Sequence, residues 1–287
     1  MTEAKKKVAK KKTAKKKASG TEVAEVQNKA VGMPLDFSAD AGAGLEGADK
    51  DSFAIPFLSV VQKMSPQVDE DDPMFMPEAK AGMFLNSVTN ELFDGKEGVI
   101  FIPCAFQRRM IRWGPRGSEE GGFKGEMMPE EAAQLEANNE LIRSEGKLYF
   151  PLEDGKVKPK KCDVLNDTRN HFGLLLDKET GEFTRVLLSL NSTQIKKSKQ
   201  LVSLLSDLKV DGPNGKITPP TFAVQVEITT LSESNEKGSW HGVKVKIDEL
   251  VSSQAVYDAA KEFHSQIAEG KATVNYDAAA PEPKEGF

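Results

Sequence analysis

The sequence predicts an α+β fold that is rich in β structure and has disordered ends. Short apolar segments with alternating polar residues recur between turn signals, which is typical of antiparallel strands. Two longer segments repeat apolar residues at helical spacing. The first 20 residues hold nine lysines and show no apolar periodicity, so they cannot contribute to a core.

Composition divides the chain into four segments. Residues 1–50 join a lysine-rich arm to a linker rich in Gly, Ala and Asp, and residues 51–250 contain the dense apolar patterns. Residues 251–270 show helical spacing, and residues 271–287 form a short acidic tail with two prolines. We therefore expect a β-rich domain over residues 51–250, then a C-terminal helix and a flexible tail.

The first strands are predicted from apolar runs. Order should begin near FAIPFLSVVQKMSPQV at 53–68, and the acidic, proline-containing stretch after it predicts a solvated loop. Its four consecutive acids lack the alternating spacing of a calcium loop. GVIFIPCAF at 98–106 predicts a strand, and RRMIRW at 108–113 either continues that strand or pairs with it.

A helix and a hairpin are predicted next. Residues 126–146 are acidic and alanine-rich, which predicts a helical insertion. HFGLLLD at 171–177 and EFTRVLLSL at 182–190 predict two strands joined by the short turn KETG.

Two more helices are indicated by their apolar stripes. The stripe of the helix predicted over 192–209 consists of Leu201, Leu204, Leu205 and Leu208. Asn191 or Ser192 can cap its start. The stripe of a final helix over about 252–268 consists of Val256, Ala260, Phe263 and Ile267.

The last strand pair lies between these helices. Alternation predicts one strand with Phe222, Val224, Val226 and Ile228 on one face, and another with Val243, Val245 and Ile247 on one face and Lys244 and Lys246 on the other. The order of two strand pairs, a helix and a third pair is roughly that of an oligonucleotide-binding (OB) barrel. An open, strongly curved antiparallel sheet with helices on it fits the same pattern, and periodicity does not separate the two.

Composition and residue counts exclude several classes of protein. With 38% hydrophobic and 29% charged residues and no long apolar stretch, the sequence predicts no membrane span. The lysine-rich start is not followed by an apolar segment, so it does not predict a signal peptide. Cys104 and Cys162 form no CxxC pair, and the three histidines share no ligand spacing. We expect a cytoplasmic protein without a metal site or a cofactor.

Charge is distributed unevenly along the chain. Residues 1–20 carry about +8, so the remaining residues carry about −13 to reach the net charge of −5. A disordered cationic arm of this kind can bind nucleic acid by releasing counterions from phosphates. A solubilising tail and a binder of acidic protein surfaces are the alternatives.

The strongest candidate site is the stretch AFQRRMIRWGPRGSEEGGFKG at 105–125. Its candidate contact residues are Arg108, Arg109, Arg112, Trp113, Arg116, Phe123 and Lys124. On an extended segment Arg108, Met110 and Arg112 face one way while Arg109, Ile111 and Trp113 face the other. Guanidinium groups beside an aromatic ring suit single-stranded nucleic acid, whose phosphates pair with cations and whose bases stack. The alternative is that Trp113 belongs to the core and that the arginines pair with acids of this acidic chain.

Three lysines near the start of the 192–209 helix predict further contacts. Lys196, Lys197 and Lys199 lie where the helix dipole favours acids, which suggests an anion nearby. A basic surface without a function is the alternative. At the other end of the chain, an acidic tail that ends on Phe287 predicts a binding segment for a protein partner, or simple disorder.

Several motifs together resemble a known family. IPFLSVVQKMSPQV, GMFLNSVTNELF, VIFIPCAFQRRMIRWGPRG, GGFKG and LLSLNSTQIKKSKQL resemble tailed-phage early proteins that are labelled single-stranded DNA-binding proteins, over about residues 53 to 250. The resemblance implies a phage protein that works in the cytoplasm of a bacterial host. It supplies no catalytic residues.

These observations predict a phage-type single-stranded DNA-binding protein that acts in DNA replication or recombination. The expected partners are single-stranded DNA or RNA, phage replication or recombination proteins that bind the C-terminal tail, and further copies of the chain. A single-strand annealing protein and a DNA-binding adaptor or internal virion protein are the alternatives. We expect no enzyme, because the acids near His171, namely Asp163 and Asp167, and the pair Asp248 and Glu249 have no recognised catalytic spacing.

Overall fold

A computed structural model describes residues 43–44, 54–115, 118, 121–236, 238–271 and 274–276. Within them, the strands are β1 (Leu58–Val60), β2 (Phe84–Asn86), β3 (Leu92–Phe93), β4 (Val99–Gly114), β5 (Gly122–Met127), β6 (Ile142–Ser144), β7 (Lys147–Tyr149), β8 (Val164–Leu176), β9 (Phe183–Asn191), β10 (Val210–Gly212), β11 (Gly215–Ile217), β12 (Val224–Asn235) and β13 (Gly238–Leu250). The helices are α1 (Pro129–Ala137), α2 (Ile195–Asp207) and α3 (Gln254–Ala268). The lysine-rich arm, Arg116 and Phe287 lie outside the described residues.

The main sheet is built on two long antiparallel strands, β4 and β8. They pair from Ile100 opposite Leu176 to Trp113 opposite Val164, with a bulge between Pro103 and Ala105. The sheet order is β13-β12-β4-β8-β7-β6. In addition, β9 pairs with β8, and β5 pairs with the end of β4. All of these pairings are antiparallel, which confirms the predicted β-rich α+β fold.

Five of these strands have an arrangement that is compatible with an OB-like sheet. They lie in the order β13-β12-β4-β8-β9, and α2 follows β9, the third of them in the sequence. The sheet curls strongly into half a barrel, so the curved sheet is the form that the structure adopts.

Strands β1, β2 and β3 form a separate small sheet, and the residues that flank it are hydrogen-bonded to two strands of the main sheet. The Leu187 N–H of β9 donates to the Pro56 carbonyl just before β1, at 2.8 Å. The Thr230 N–H of β12 donates to the Gly95 carbonyl just after β3, at 2.7 Å. The segment from residue 54 to 98 therefore ties β9 to β12.

The two faces of the sheet carry separate cores. On one face, Phe101, Leu188 and Val226 pack against Leu201 and Leu205 of α2 and against the small sheet. We call this the α2 face. Burial of these side chains stabilises the fold by roughly 1.5–3 kcal/mol each.

The opposite face, which we call the α3 face, packs against the last helix. Ile102, Phe172 and Leu187 contact the apolar stripe that the sequence predicts for α3, of which Phe263 is 1% exposed. Ser253 caps α3 by accepting from the Val256 N–H. A third, smaller core joins α1 to Met110 of β4 on the α2 face.

Residues 108–113 continue β4, which is one of the two alternatives that the sequence left open. Other local predictions need correction. The helix in the insertion ends at Ala137, because residues 142–149 form a hairpin that turns at Glu145 and Gly146 with positive φ. The described residues form more strands than the three pairs that the sequence predicts, because the additional strands are short and give little sequence signal.

The start of α2 also differs from the prediction. Asn191 makes no side-chain capping hydrogen bond and Ser192 has a φ of 49°, so a short 3-10 turn precedes the helix, which begins at Ile195. Phe222 lies in another 3-10 turn and packs with the α3-face core, so it does not share a face with Val224.

Candidate nucleic-acid interface

Strand β4 divides the predicted arginine cluster between the two faces of the sheet. Arg108, Met110 and Arg112 lie on the α2 face, where Met110 is part of the third core. Ile111 and Trp113 lie on the α3 face and pack in its core. The alternation inferred from the sequence is therefore correct, and the cluster forms two sites.

On the α2 face, two arginines of neighbouring strands share one carboxylate. Arg108 Nε and Nη2 donate to Asp167 at 3.0 and 2.8 Å, and Arg169 Nε and Nη2 donate to the same carboxylate at 3.0 and 3.2 Å. The strand register places Arg108 directly opposite Arg169, and the shared acid offsets the repulsion between the two cations. Partial burial raises the pKa of Asp167, but the hydrogen bonds from Arg108 and Arg169 outweigh this effect, and its pKa is lowered.

A second carboxylate holds two more cations further along the strands. Asp163, whose side chain is 9% exposed, accepts from Arg112 Nε at 2.6 Å and from Lys124 Nζ at 3.0 Å. The Arg112 guanidinium also lies 3.9 Å from the centre of the Phe150 ring, in a cation–π contact. Arg112 and Lys124 are thus fixed in place by one buried acid.

We call Arg108, Arg169, Arg112 and Lys124 the cationic stripe. Among the described residues, Asp163 and Asp167 are in contact with members of the stripe, and Glu130 acts on Arg108 through space. The stripe therefore places four cations on one face of the sheet in a chain of net charge −5. The predicted alternative, in which the arginines pair with acids of the chain, describes part of this geometry.

Phe106 lies at one end of the cationic stripe, on the same face of β4 as Arg108, and is not among the contact residues that the sequence predicts. Its ring is 44% exposed and lies on His171, with 5.0 Å between ring centroids. Positions 106, 108, 110 and 112 share one face of β4, and this period-2 spacing would have placed Phe106 beside Arg108. Arg169 had no signal of its own, because its place depends on the β4–β8 register.

The residue beneath Phe106 is buried and hydrogen-bonded. His171 is 2% exposed, and its Nε2 lies 2.8 Å from the Ser198 hydroxyl of α2. Burial, with a smaller effect of Arg169, lowers the pKa of His171 from 6.5 to about 4. The imidazole is therefore neutral at pH 7 and serves as a platform for the exposed ring.

The α3 face holds the predicted aromatic residues. The rings of Trp113 and Phe123 meet edge to face at 6.0 Å, and Phe123 stacks on Tyr276 at 5.1 Å. Arg109 lies 3.6 Å from Glu126. Trp113 and Phe123 are only partly buried, whereas Tyr276 is buried and came from a segment assigned to the flexible tail.

The lysines of α2 occupy two different environments. Lys197 forms an ion pair with Glu233 at 3.1 Å. Lys196 and Lys199 are exposed and project away from the buried Leu201 and Leu205. Neither has an ion-pair partner within the described residues.

The described part of the chain contains no group of three or more His, Cys, Asp or Glu side chains that could hold a metal ion. None of its helices is long and apolar enough to cross a membrane.

A family model described as Pam3 phage gp34-like protein matches residues 7–273. No curated protein and no solved structure matches the chain.

Proposed function

The chain belongs to the Pam3 phage gp34-like family, and we propose that it is a phage-type single-stranded DNA-binding protein that acts in replication or recombination. The observation that supports this most is the cationic stripe, which starts at the exposed ring of Phe106 on an OB-like sheet. A row of cations beside an aromatic ring on such a sheet suits a flexible strand that offers both phosphates and unpaired bases.

Phosphate binding is compatible with the ion pairs of the stripe. A guanidinium has five N–H donors in a fixed fork, and Asp167 engages only the Nε and Nη2 atoms of Arg108. The Arg108 side chain is 43% exposed, so its remaining donors can reach a phosphate. The carboxylates keep the arginines in place and weaken the attraction to any single phosphate.

Base stacking supplies the second part of the mechanism. Phe106 presents its ring at one end of the stripe, supported by His171. Stacking of a base on an aromatic side chain contributes about 1–3 kcal/mol and tolerates any sequence, because every base has a π face. Duplex DNA keeps its bases stacked inside, so this contact favours single strands.

The remaining predicted contacts extend this interface. Lys196 and Lys199 of α2 add positive charge on exposed positions. The lysine-rich arm adds attraction to any nucleic acid, and the tail ending in Phe287 is the proposed segment for protein partners; both rest on the sequence.

A salt titration by fluorescence anisotropy tests the proposal. The full chain is measured with a single-stranded and a duplex oligonucleotide of matched length, together with a double variant of the stripe, Arg108→Gln with Lys124→Gln. The matched control is Arg143→Gln with Lys246→Gln, which removes the same charge from the exposed ion pairs with Glu136 and Glu227.

We expect the stripe variant to lose about tenfold in single-strand affinity, and its slope of log affinity against log salt to fall by about 1.4, since each lost phosphate contact removes about 0.7. The control should lose much less. Equal losses of affinity in both variants would mean that binding depends on net charge and not on the cationic stripe. Equal affinity for duplex and single strand would instead favour the adaptor or virion protein.

A further inference from the structure

Tyr276 fills a notch on the α3 face of the sheet. Its ring stacks on Phe123 with an interplanar angle of 25°, and the ring of Phe57 lies 6.0 Å away in a tilted orientation. Its hydroxyl accepts from Asn170 Nδ2 at 2.6 Å and also interacts with the Glu126 carboxylate. Burial of this hydroxyl raises its pKa.

The floor of the notch is polar, unlike the neighbouring part of the same face. Asn170 is 1% exposed, and its Oδ1 accepts from the Ser189 hydroxyl at 3.0 Å. Two residues further along β8, on the same face, Phe172 is part of the apolar core under α3. A buried amide costs free energy unless it is hydrogen-bonded, so Asn170 needs a polar partner such as the Tyr276 hydroxyl above it.

We infer that this notch is a nucleobase-binding site and that Tyr276 occupies it when nucleic acid is absent. The notch is shaped for one flat ring, because Phe123 lies almost parallel to the ring it holds. The Asn170 amide at its floor offers a donor that a base oxygen or ring nitrogen can accept in place of the tyrosine hydroxyl. An aromatic wall with an amide at the edge of the ring is the chemistry by which unpaired bases are held.

The notch can be reached from the cationic stripe, and in this respect the inference rests on the proposed function. Phe123 and Lys124 are consecutive residues of β5, and Phe123 packs in the α3-face core while Lys124, a member of the stripe, binds Asp163. Within the described residues β5 pairs only with β4, so it forms an edge of the sheet. A single strand that crosses this edge can leave a phosphate at Lys124 and place a base against Phe123.

Tyr276 can leave the notch without unfolding the domain. The helix before it, α3, ends at Ala268 and is anchored independently by Val256, Ala260, Phe263 and Ile267. Val274 and Tyr276 are the members of the following segment that pack against the α3-face core among the described residues. If Tyr276 must leave the notch before nucleic acid binds, the apparent affinity is that of the open form multiplied by the fraction of molecules that are open.

The test uses the full chain and its variant Tyr276→Ala, with Tyr257→Ala as the matched control, since Tyr257 packs against Phe222 away from the notch. Three probes separate the contacts. An oligothymidylate offers bases and phosphates, an abasic oligonucleotide of the same length offers only phosphates, and free thymidine offers only the base. Binding is measured by anisotropy for the oligonucleotides and by chemical-shift changes of the Asn170 side-chain amide for thymidine.

We expect Tyr276→Ala to bind oligothymidylate about three- to tenfold more tightly than the unmodified chain, and to bind the abasic strand with unchanged affinity. Thymidine should shift the Asn170 amide in this variant and not in Tyr257→Ala. Adding Phe123→Ala should remove the gain. If Tyr276→Ala proves unstable, Tyr276→Phe, which removes only the hydroxyl, should give a gain of about twofold.

Two outcomes separate this inference from the proposed function. If both oligonucleotides bind every variant equally and thymidine causes no shift, the notch is a structural contact and the inference is wrong, while single-strand binding stands. If neither oligonucleotide binds the unmodified chain but thymidine shifts Asn170 in Tyr276→Ala, the notch binds a base and the proposed function fails.

Discussion

The exposed ring of Phe106 lies on the buried imidazole of His171, with 5.0 Å between their centroids. Because His171 is held by Ser198 of α2, the position of the exposed ring depends on the packing of a helix that follows it by about 90 residues. This contact connects the core of the domain to the proposed site for stacking.

Replacement of Phe106 by alanine should lower single-strand affinity about tenfold, because one base-stacking contact is lost. The stability of this variant should change little, since Phe106 is already 44% exposed. Phe183→Ala is the matched control, because Phe183 is 39% exposed at the start of β9. Anisotropy titrations at one salt concentration measure the effect. Equal losses for the two variants would contradict a specific role of Phe106.

His171 should make the stability of the protein depend on pH. Its pKa is about 4 in the folded protein and near 6.5 when unfolded, so below pH 6.5 only the unfolded chain takes up the proton. Stability should therefore fall by up to about 3 kcal/mol between pH 6.5 and pH 4, with no contribution above pH 7. Urea unfolding of the full chain and of His171→Gln across this range measures the difference. The prediction is wrong if both lose stability in parallel.

Removal of the shared carboxylate by Asp167→Asn should release Arg108 and Arg169. We expect single-strand affinity to rise about twofold to fivefold, and stability to fall by about 1 kcal/mol, a small value because the pair is partly exposed. The lowered pKa of Asp167 means that its contribution is complete above about pH 5 and is lost as the pH falls below 3.8. The stability difference between the two proteins should disappear there. Weaker binding by the variant would show that Asp167 positions the arginines more than it competes with phosphate.

Exposed lysines on α2 should contribute to affinity but not to stability. Lys196→Ala with Lys199→Ala should weaken single-strand binding about threefold to tenfold and raise stability by a few tenths of a kcal/mol, because cations near a helix N-terminus oppose its dipole. Lys244 and Lys246, which are exposed on β13, provide the control pair for the same change. If the control pair weakens binding as much, α2 is not part of the interface.

Gly173 should be the most sensitive backbone position on β8. A Cβ there would lie 2.4 Å from the Ile102 carbonyl oxygen and from the Phe101 ring, beside the bulge at Pro103. Gly173→Ala should therefore destabilise the fold by about 3 kcal/mol. Gly146→Ala, at an exposed turn with open space and a φ of 82°, should cost only about 1 kcal/mol. Thermal unfolding measures both losses of stability. Similar losses in the two variants would contradict the prediction, because they would show that β4 and β8 can move apart enough to accommodate a Cβ at Gly173.

Local patterns were reliable wherever one face of an element is buried. Val256 and Phe263 form the predicted stripe of α3, and Val243 and Val245 lie inside while Lys244 lies outside. Turn chemistry was less informative, because the positive φ at Ser192 and Glu145 has no clear signal in these residue types. Such positions set the ends of α2 and of the insertion helix.

The candidate site was predictable only in part. The arginines of β4 could be found as a cluster, and their division between two faces follows from the period of a strand. Arg169, Asp163 and Asp167 could not be assigned to them, since this requires the register between β4 and β8. Tyr276 belongs to a segment whose composition predicts a flexible tail, and its burial depends on an aromatic and polar surface assembled from distant strands.

The sequence alone determined the β-rich fold, the helical stripes and the positions of the cations, because each depends on neighbours within a few residues. Only the tertiary structure decided which acid holds which cation, that Phe106 lies on a buried imidazole, and that Tyr276 covers Asn170. Apart from Arg169 and Asp167, which are neighbours on β8, these contacts join residues separated by between 39 and 106 positions. The physical reason is that a strand fixes the direction of its side chains locally, whereas the curl and register of the sheet determine which distant groups meet them.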